Sequence, residues 1–296
     1  MDARYQELAR KEAEHWGRGT YDPENPKMWD DPALDEIFFG AEQRRLLDRA
    51  TQCGPRVLEL GCGDGDHAVE LARRGLEVTA VDLSPDRIRL ARERAAAAGV
   101  AVTFLVDDLN TMDLPTGPFD CVLAHDALHH IYALDRLLAD VGRVLAPGGR
   151  LLVLDFSGMS RGARALAAAI LAVLPTYLPY ARKWQMRRRL GSFLATERDK
   201  RAALERGGHT DLHEGSPFES ISQESIVPAI ARRFDVVEYR RFLPFWWYLA
   251  PKLRLGRLQH PVARWFRRWD DGLERLRLVR GAYFTVEARP RAAQEV

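Results

Sequence analysis

Five short runs of continuous apolar or β-branched residues punctuate the first half of the chain: 56–60 (RVLEL), 77–82 (EVTAVD), 101–106 (AVTFLV), 119–125 (FDCVLAH) and 150–156 (RLLVLDF). Continuous rather than alternating hydrophobicity suits strands buried on both faces. Between them the pattern is helical. HAVELARRG (67–75) follows the first run. Ser84 as N-cap, Pro85 at the first helical position and Gly99 as the stop enclose DRIRLARERAAAA. ALDRLLADVGRVLAPGG (133–149) follows the fourth run. Strand and helix alternate for a hundred residues, which predicts a parallel sheet covered on both faces.

Beyond residue 160 the pattern changes. Ala165 to Ala181 carries no charge, but seventeen alanine-rich residues with two prolines make a poor bilayer span, and a buried or surface-lying helix is expected. Residues 187–206 predict a basic helix, and GGHTDLHEGSPFES (207–220) a loop. Ser222 is expected to cap a short helix ending near Arg232. FDVVEYRRF (234–242) and GAYFTVEARP (281–290) read as two more strands. The intervening 243–280 is rich in aromatics and arginines. Within it Val262, Trp265, Phe266, Trp269, Leu273 and Leu276 fall on one helical stripe, with Arg264, Arg267, Arg268, Arg275 and Arg277 mostly off it. Packing on its own domain is the ordinary use of such a stripe. The other is docking on anionic lipid.

Composition narrows the class. With 296 residues, 46% hydrophobic and 29% charged, the chain is neither disordered nor fibrous. Three cysteines, at 53, 62 and 121, form neither a disulfide framework nor a zinc motif; Cys62 and Cys121 are expected to be buried and inert, and Cys53 to have no partner. The charged N-terminus lacks an apolar signal core, so a cytoplasmic location is expected. The formal charge of +2 hides an asymmetry: residues 1–159 carry a net −10 and residues 160–296 a net +12. The basic half suits an anionic small molecule, lipid or nucleic acid, or is simply a solvated face.

The chemistry-bearing motif is Glu59-Leu60-Gly61-Cys62-Gly63-Asp64-Gly65, between the first strand and its helix. Glycines at alternate positions let backbone turn sharply and approach a ligand. A dinucleotide fingerprint needs Gly-x-Gly-x-x-Gly, but position 66 is Asp66, and the Glu59 carboxylate would repel a pyrophosphate and welcome a cation. Asp82, ending the second strand, can accept both hydroxyls of a ribose, although its spacing also fits the dinucleotide pattern.

In VLELGCGDG (57–65), VDLSPD (81–86), VDDLNTMDLPTGPFD (106–120), LHHI (128–131) and RVLAPGGRLLVLD (143–155), in that order and spacing, the chain resembles the class I S-adenosylmethionine-dependent methyltransferases, most closely their small-molecule and lipid-quinone branch. The resemblance covers about residues 50–156. It implies an α/β Rossmann-like fold with a seven-stranded, mostly parallel sheet and an antiparallel last strand. It also implies an N-terminal helical cap over 1–50, a cofactor-binding core at 51–159, a helical acceptor-side insertion at 160–233, and the last two strands with the insertion 243–280 at 234–296. S-adenosyl-L-methionine is the implied cofactor, with Glu59 near its ammonium, Gly61, Cys62, Gly63 and Gly65 lining methionine and ribose, Asp82 and Leu83 at the ribose, Asp108 with Asp107 and Leu109 at the adenine, and His125 beside them. The implied activity is O- or C-methylation of a small-molecule or lipid-like, anionic acceptor in bacterial secondary, glycan or lipid metabolism. Nucleic acid is not expected, since AHDALHH stands where a base-flipping motif would be. A cofactor-binding scaffold or non-methylating enzyme of the same fold is the alternative reading.

His125, Asp126, His129 and His130 cluster after the fourth strand, and His129, His130 or His125 can serve as general base. His125 and His129 have metal-pair spacing but no third ligand at fixed spacing, so no metal is expected. His209, His213 and Glu214 are secondary candidates for acceptor contact. The aromatic N-terminal segment, 160–233 and 243–280 would form the acceptor pocket, with peripheral contact at the cytoplasmic face of a membrane.

Overall fold

The computed structural model describes residues 3–18, 22–186, 196–205 and 216–291. Seven strands form one sheet in the order β3-β2-β1-β4-β5-β7-β6. They are β1 (Arg56–Leu60), β2 (Glu77–Asp82), β3 (Thr103–Val106), β4 (Phe119–His125), β5 (Leu145–Phe156), β6 (Phe234–Phe242) and β7 (Tyr283–Pro290). The first five are parallel. β7 runs antiparallel between β5 and β6, Leu154 facing Thr285 and Phe156 facing Tyr283. This is the predicted architecture.

The helices are α1 (Ala3–Gly17), α2 (Pro32–Phe38), α3 (Gly40–Thr51), α4 (Asp66–Arg73), α5 (Pro85–Ala98), α6 (Leu134–Val144), α7 (Arg161–Val173), α8 (Tyr180–Met186), α9 (Glu197–Glu205), α10 (Ile226–Arg233), α11 (Trp246–Leu249) and α12 (Gln259–Arg275). Two apolar layers sandwich the sheet. Val57, Leu123 and Leu152 pack with Leu46, Leu71, Ile88 and Phe266. Their strand neighbours Leu58, Val122 and Leu151 pack on the opposite layer with Leu137, Leu138, Val141 and Ile230. Alternate side chains of each strand thus enter two different cores, which is why the strands read as unbroken apolar runs.

α5 begins and ends as its sequence dictates: the Ser84 hydroxyl accepts from Arg87 N at 3.4 Å, Pro85 opens the helix, and Gly99 ends it at φ +67°. Other boundaries differ from expectation. Leu145–Gly149 extends β5 rather than α6, and β3 starts at Thr103. Ser222 is not the cap of α10. It is buried, donates to Ile131 O at 2.5 Å and accepts from Arg201 at 2.6 Å. The start of α10 is held instead from α9, where Glu197 accepts from Glu224 N at 2.7 Å and Ser225 N at 3.0 Å. A charged acceptor from another helix replaces the local hydroxyl, and no local sequence rule detects it.

The stripe on α12 is also rotated. Ala263, Phe266 and Asp270 are its buried positions, while Trp265 and Trp269 are each 52% exposed and Leu276 is 70% exposed. Phe266 stacks on Trp246 with centroids 3.8 Å apart, and Asp270 accepts from Trp246 N at 3.0 Å. A small face, not the largest aromatics, meets the domain. α7 lies on the surface with Leu166 and Val173 exposed. Among the described residues no helix is long and apolar enough to cross a membrane. Of the predicted basic helix at 187–206 the described residues are 196–205, which are helical over Glu197–Glu205.

The glycine turn after β1 has positive φ at Gly61 (+70°), Gly63 (+52°) and Gly65 (+79°). A Cβ on Gly61 would lie 2.5 Å from the Ala127 Cβ, whereas one on Gly63 meets nothing within 4 Å. Both alanine substitutions carry about 1–2 kcal/mol of left-handed strain. Gly61→Ala adds a clash and should lose at least about 1 kcal/mol more than Gly63→Ala in urea unfolding. By the same measurement Glu197→Ala should destabilise by about 1–3 kcal/mol through the two amides it orphans.

Candidate active site

The carboxyl ends of parallel strands are where this topology leaves a crevice, and the predicted residues gather there. Asp82, at the end of β2, accepts from Gly63 N at 2.8 Å through Oδ2 and from Ser84 N at 2.9 Å through Oδ1. Burial nonetheless raises its pKa, the two amides offsetting only part of the cost. Glu59, on β1, is 1% exposed. Its Oε1 lies 3.6 Å from His67 Nδ1, and its Oε2 has no hydrogen-bond partner. Burial pushes this carboxyl up. His67 is half-buried beside it, and Glu59 holds its pKa above the ordinary value despite the desolvation. An unsatisfied buried carboxylate oxygen beside an open glycine face is a cradle for a cationic, hydroxyl-bearing ligand.

After β3, Asp107 is exposed and its Oδ1 accepts from Asp108 N at 2.8 Å. Asp108 Oδ1 accepts from Asn110 N at 2.9 Å and from Asn110 Nδ2 at 3.0 Å, while Oδ2 accepts the Tyr5 hydroxyl at 2.7 Å. The residue expected at an adenine is thus engaged by the N-terminal helix. Leu109 is buried with Leu58, Leu60 and Val81 beneath the turn, and Leu83 is half-buried. Cys62 is buried, and burial pushes its thiol up. Cys53, expected to stand alone, shares a hydrogen bond with the Cys121 thiol that lowers Cys53 and raises Cys121.

The histidines sit in three different environments. His125, ending β4, stacks edge-on against His67 at 4.6 Å, with Nε2 unpartnered; burial drives its pKa well down, so it stands neutral. Asp126 follows with φ +47°, half-buried, and desolvation together with Asp155 holds it well above the carboxylate range. His129 is buried, its Nδ1 2.6 Å from Asp155 Oδ1. Asp155 is fully buried, with Oδ2 accepting from Leu128 N at 2.8 Å and Oδ1 from Phe156 N at 2.6 Å. His130 Nδ1 lies 3.0 Å from Glu12 Oε1. Burial opposes charge on His130, but Glu219 and Glu12 outweigh it and raise the group to about 9. At neutral pH His130 is therefore cationic, and of the three histidines His129 has the geometry of an oriented base.

α1 closes the crevice. Glu12 is 3% exposed and accepts from Trp16 Nε1 at 2.8 Å, Ser216 Oγ at 2.8 Å and Phe218 N at 3.1 Å. Arg87 ties this lid to the glycine turn, donating to Trp16 O and to Asp64 Oδ1, each at 2.8 Å. Beside His129 stands an aromatic wall: Phe156 is 5.5 Å from Trp247 and 5.2 Å from Tyr283, and Trp247 Nε1 is buried without a hydrogen-bond partner.

Sequence reasoning missed His67, Glu12, Asp155 and Glu219. Asp155 had a signal, a carboxylate inside the apolar run RLLVLDF; Glu12 and Glu219 had none, since only the fold brings them to the histidines. His209, His213 and Glu214 lie outside the described residues.

Residues 57–149 match the model of a family described as methyltransferase domain. The demethylmenaquinone methyltransferase of Thermus thermophilus is 39% identical over 133 residues, 43% of this chain and 60% of the relative. The ubiquinone biosynthesis O-methyltransferase of Xylella fastidiosa is 34% identical over 160 residues, 53% of this chain and 59% of the relative. The chain thus spans about 60% of the length of the curated relatives it matches. Geranyl diphosphate C-methyltransferase from Streptomyces coelicolor A3(2), solved with magnesium, geranyl diphosphate and S-adenosyl-L-homocysteine, shares the fold with a TM-score of 0.54 at 16% identity, covering 98% of this chain and 100% of that one. Residues 57–149 thus carry a methyltransferase domain, set in a seven-stranded sheet whose fold is shared with a solved methyltransferase.

Proposed function

We propose that the protein transfers the methyl group of S-adenosylmethionine to oxygen or carbon of a lipid-like, aromatic small molecule of the quinone type. The carrying observation is the cradle made by the orphaned Glu59 Oε2, the open face of Gly63 and the doubly pinned Asp82. Glu59 suits the cofactor's ammonium, Gly61, Cys62, Gly63 and Gly65 its methionine and ribose, and Asp82 with Leu83 the ribose hydroxyls. Asp108, with Asp107 and Leu109 beside it, suits the adenine amino group, which then takes the place of the Tyr5 hydroxyl. His125, neutral and unpartnered at Nε2, borders the same space.

When bound, the cofactor would supply an electrophilic sulfonium methyl group, which the acceptor nucleophile would take in line as the methyl–sulfur bond breaks and the neutral thioether leaves. The chain's own work is alignment, exclusion of water and removal of the acceptor's proton. Asp155 fixes the Nδ1 side of His129, leaving Nε2 to take that proton. The wall of Phe156, Trp247 and Tyr283 fits a flat ring, and the buried Trp247 Nε1 can donate to a ring oxygen. The quinone-pathway names of the curated relatives support this acceptor class.

Calorimetry should show micromolar binding of S-adenosylmethionine. Asp82→Ala should abolish it by losing the ribose contacts, and Gly63→Arg by filling open space. Unchanged affinity in both variants would remove the assignment. His129→Ala should lower kcat by about 100-fold with cofactor affinity preserved, as expected for a group acting in the transition state.

A lipid-like acceptor has to be reached, and α12 offers the means. Trp265 and Trp269, in edge contact at 5.3 Å, face outward with Leu258, Leu276 and Leu278 exposed nearby in sequence. Arg264, Arg268 and Arg275 are exposed on the same helix. Aromatic and basic side chains on one surface suit an anionic bilayer, at about 1 kcal/mol per basic residue. The protein should sediment with anionic but not zwitterionic vesicles at low salt and be released at high salt. Trp265→Glu combined with Arg268→Glu should weaken this without altering cofactor affinity; equal recovery with both vesicle types would leave the helix as packing alone.

A further inference from the structure

The two adjacent histidines do more than flank the crevice. His129 Nδ1 is 2.6 Å from Asp155, and His130 Nδ1 is 3.0 Å from Glu12. Each imidazole is thus backed by a buried carboxylate, which leaves both Nε2 atoms turned to a third. His129 Nε2 is 3.8 Å from Glu219 Oε1, and His130 Nε2 is 3.6 Å from Glu219 Oε2. These ligand atoms of His129, His130 and Glu219 lie within 4.8 Å of one another.

Separations of 3.6 Å and 3.8 Å are too long for hydrogen bonds. They are close to the roughly 3.4 Å between two ligands on a tetrahedral ion with bonds of about 2.1 Å. A carboxylate behind Nδ1 is also how proteins orient metal-binding histidines, fixing the tautomer and presenting Nε2. Here a carboxylate stands behind both rings, hydrogen-bonded to Nδ1 at His129 and in ion-pair contact with Nδ1 at His130, the ring centroids 4.1 Å apart. Glu219 Oε1 also accepts from the Ser220 hydroxyl at 2.9 Å. The nearby ammonium of Lys200 donates to the Glu219 carbonyl oxygen.

We propose that His129, His130 and Glu219 bind one divalent transition-metal ion, with Asp155 and Glu12 orienting the two imidazoles. Two imidazoles with a single carboxylate favour zinc, iron, cobalt or nickel over magnesium or calcium, which prefer all-oxygen sets. Three protein ligands leave coordination positions open. Phe156 stands 6.4 Å from His129, and an acceptor hydroxyl or carbonyl lying against that ring could take one of them. An ion there lowers the proton affinity of a bound hydroxyl, the task otherwise left to His129 Nε2. The inference stands apart from methyl transfer, because metal binding is read without turnover.

The sequence argued against a metal because His125 and His129 had no third ligand at fixed spacing. The structure forms a different pair, and its third ligand lies 89 residues beyond His130, on the segment that follows the undescribed 206–215.

The test uses the full chain, stripped with chelator and titrated with cobalt(II) alone. One equivalent should bind and give the visible absorption of cobalt in a mixed nitrogen and oxygen field. Proton NMR of that complex should show hyperfine-shifted ring N–H signals from two histidines. Glu219→Gln and His130→Ala should each weaken binding by more than about 100-fold, and Asp155→Asn by about 10–100-fold. A tenfold excess of magnesium should leave the spectrum unchanged. Absence of the cobalt spectrum, or of shifted histidine signals in the unmodified protein, overturns the site whatever the variants do to folding. Unchanged affinity in a Glu219→Gln protein that melts normally overturns the assignment of the third ligand.

Discussion

One buried carboxylate sets the geometry of the crevice. Asp155 ends β5 in the middle of the sheet with no exposure, where an unpaired charge would be untenable. Its partners resolve that: Leu128 N and Phe156 N donate to it, and His129 Nδ1 completes the set. Those bonds anchor the 3-10 turn at Leu128–His130 to the neighbouring strand. The positions of His129 and His130 follow, and with them the places Glu12 and Glu219 must reach. A residue of the sheet, not of the loops, thereby fixes the reactive edge, and a parallel sheet is the most rigid platform the chain has.

The core was legible because its physics is local. β1, β2 and β4 could be bounded from apolar runs alone, and α5 from a hydroxyl, a proline and a glycine. The glycine turn and Asp82 were legible for the same reason, since φ and chain proximity are set within a few residues. What escaped the sequence is what depends on distant partners. Glu197 holds the start of α10 across the chain, so Ser222 looked like its cap. α12 buries Ala263, Phe266 and Asp270, with Phe266 stacked on the distant Trp246, while Trp265 and Trp269 turn outward. The carboxylates that back His129 and His130 had no periodicity to announce them.

The charge asymmetry also changes meaning in three dimensions. Read along the chain, an acidic half precedes a basic one. In the fold the halves interlock. Arg240 and Arg267 of the second half reach the buried Glu42, Arg182 reaches Glu24, and Arg232 reaches Asp135. Part of the positive excess is therefore spent on internal pairing, the buried members carrying more weight than the exposed ones. The remainder is surface, and the exposed arginines of α12 belong to it.

The path of the chain through Glu12 has a consequence for the order in which the molecule assembles. Besides the nearby Trp16 Nε1, the donors to Glu12 are Ser216 and Phe218, more than two hundred residues further along the chain. β1 to β5 need only residues 56–156 to pair. Five strands of the sheet can therefore be complete while Glu12 still lacks two of its donors. Closing so long a loop costs chain entropy before it returns contact energy. The contacts of Glu12 with Ser216 and Phe218 form only once that loop is closed, so a chain can hold its sheet without holding this end of its lid.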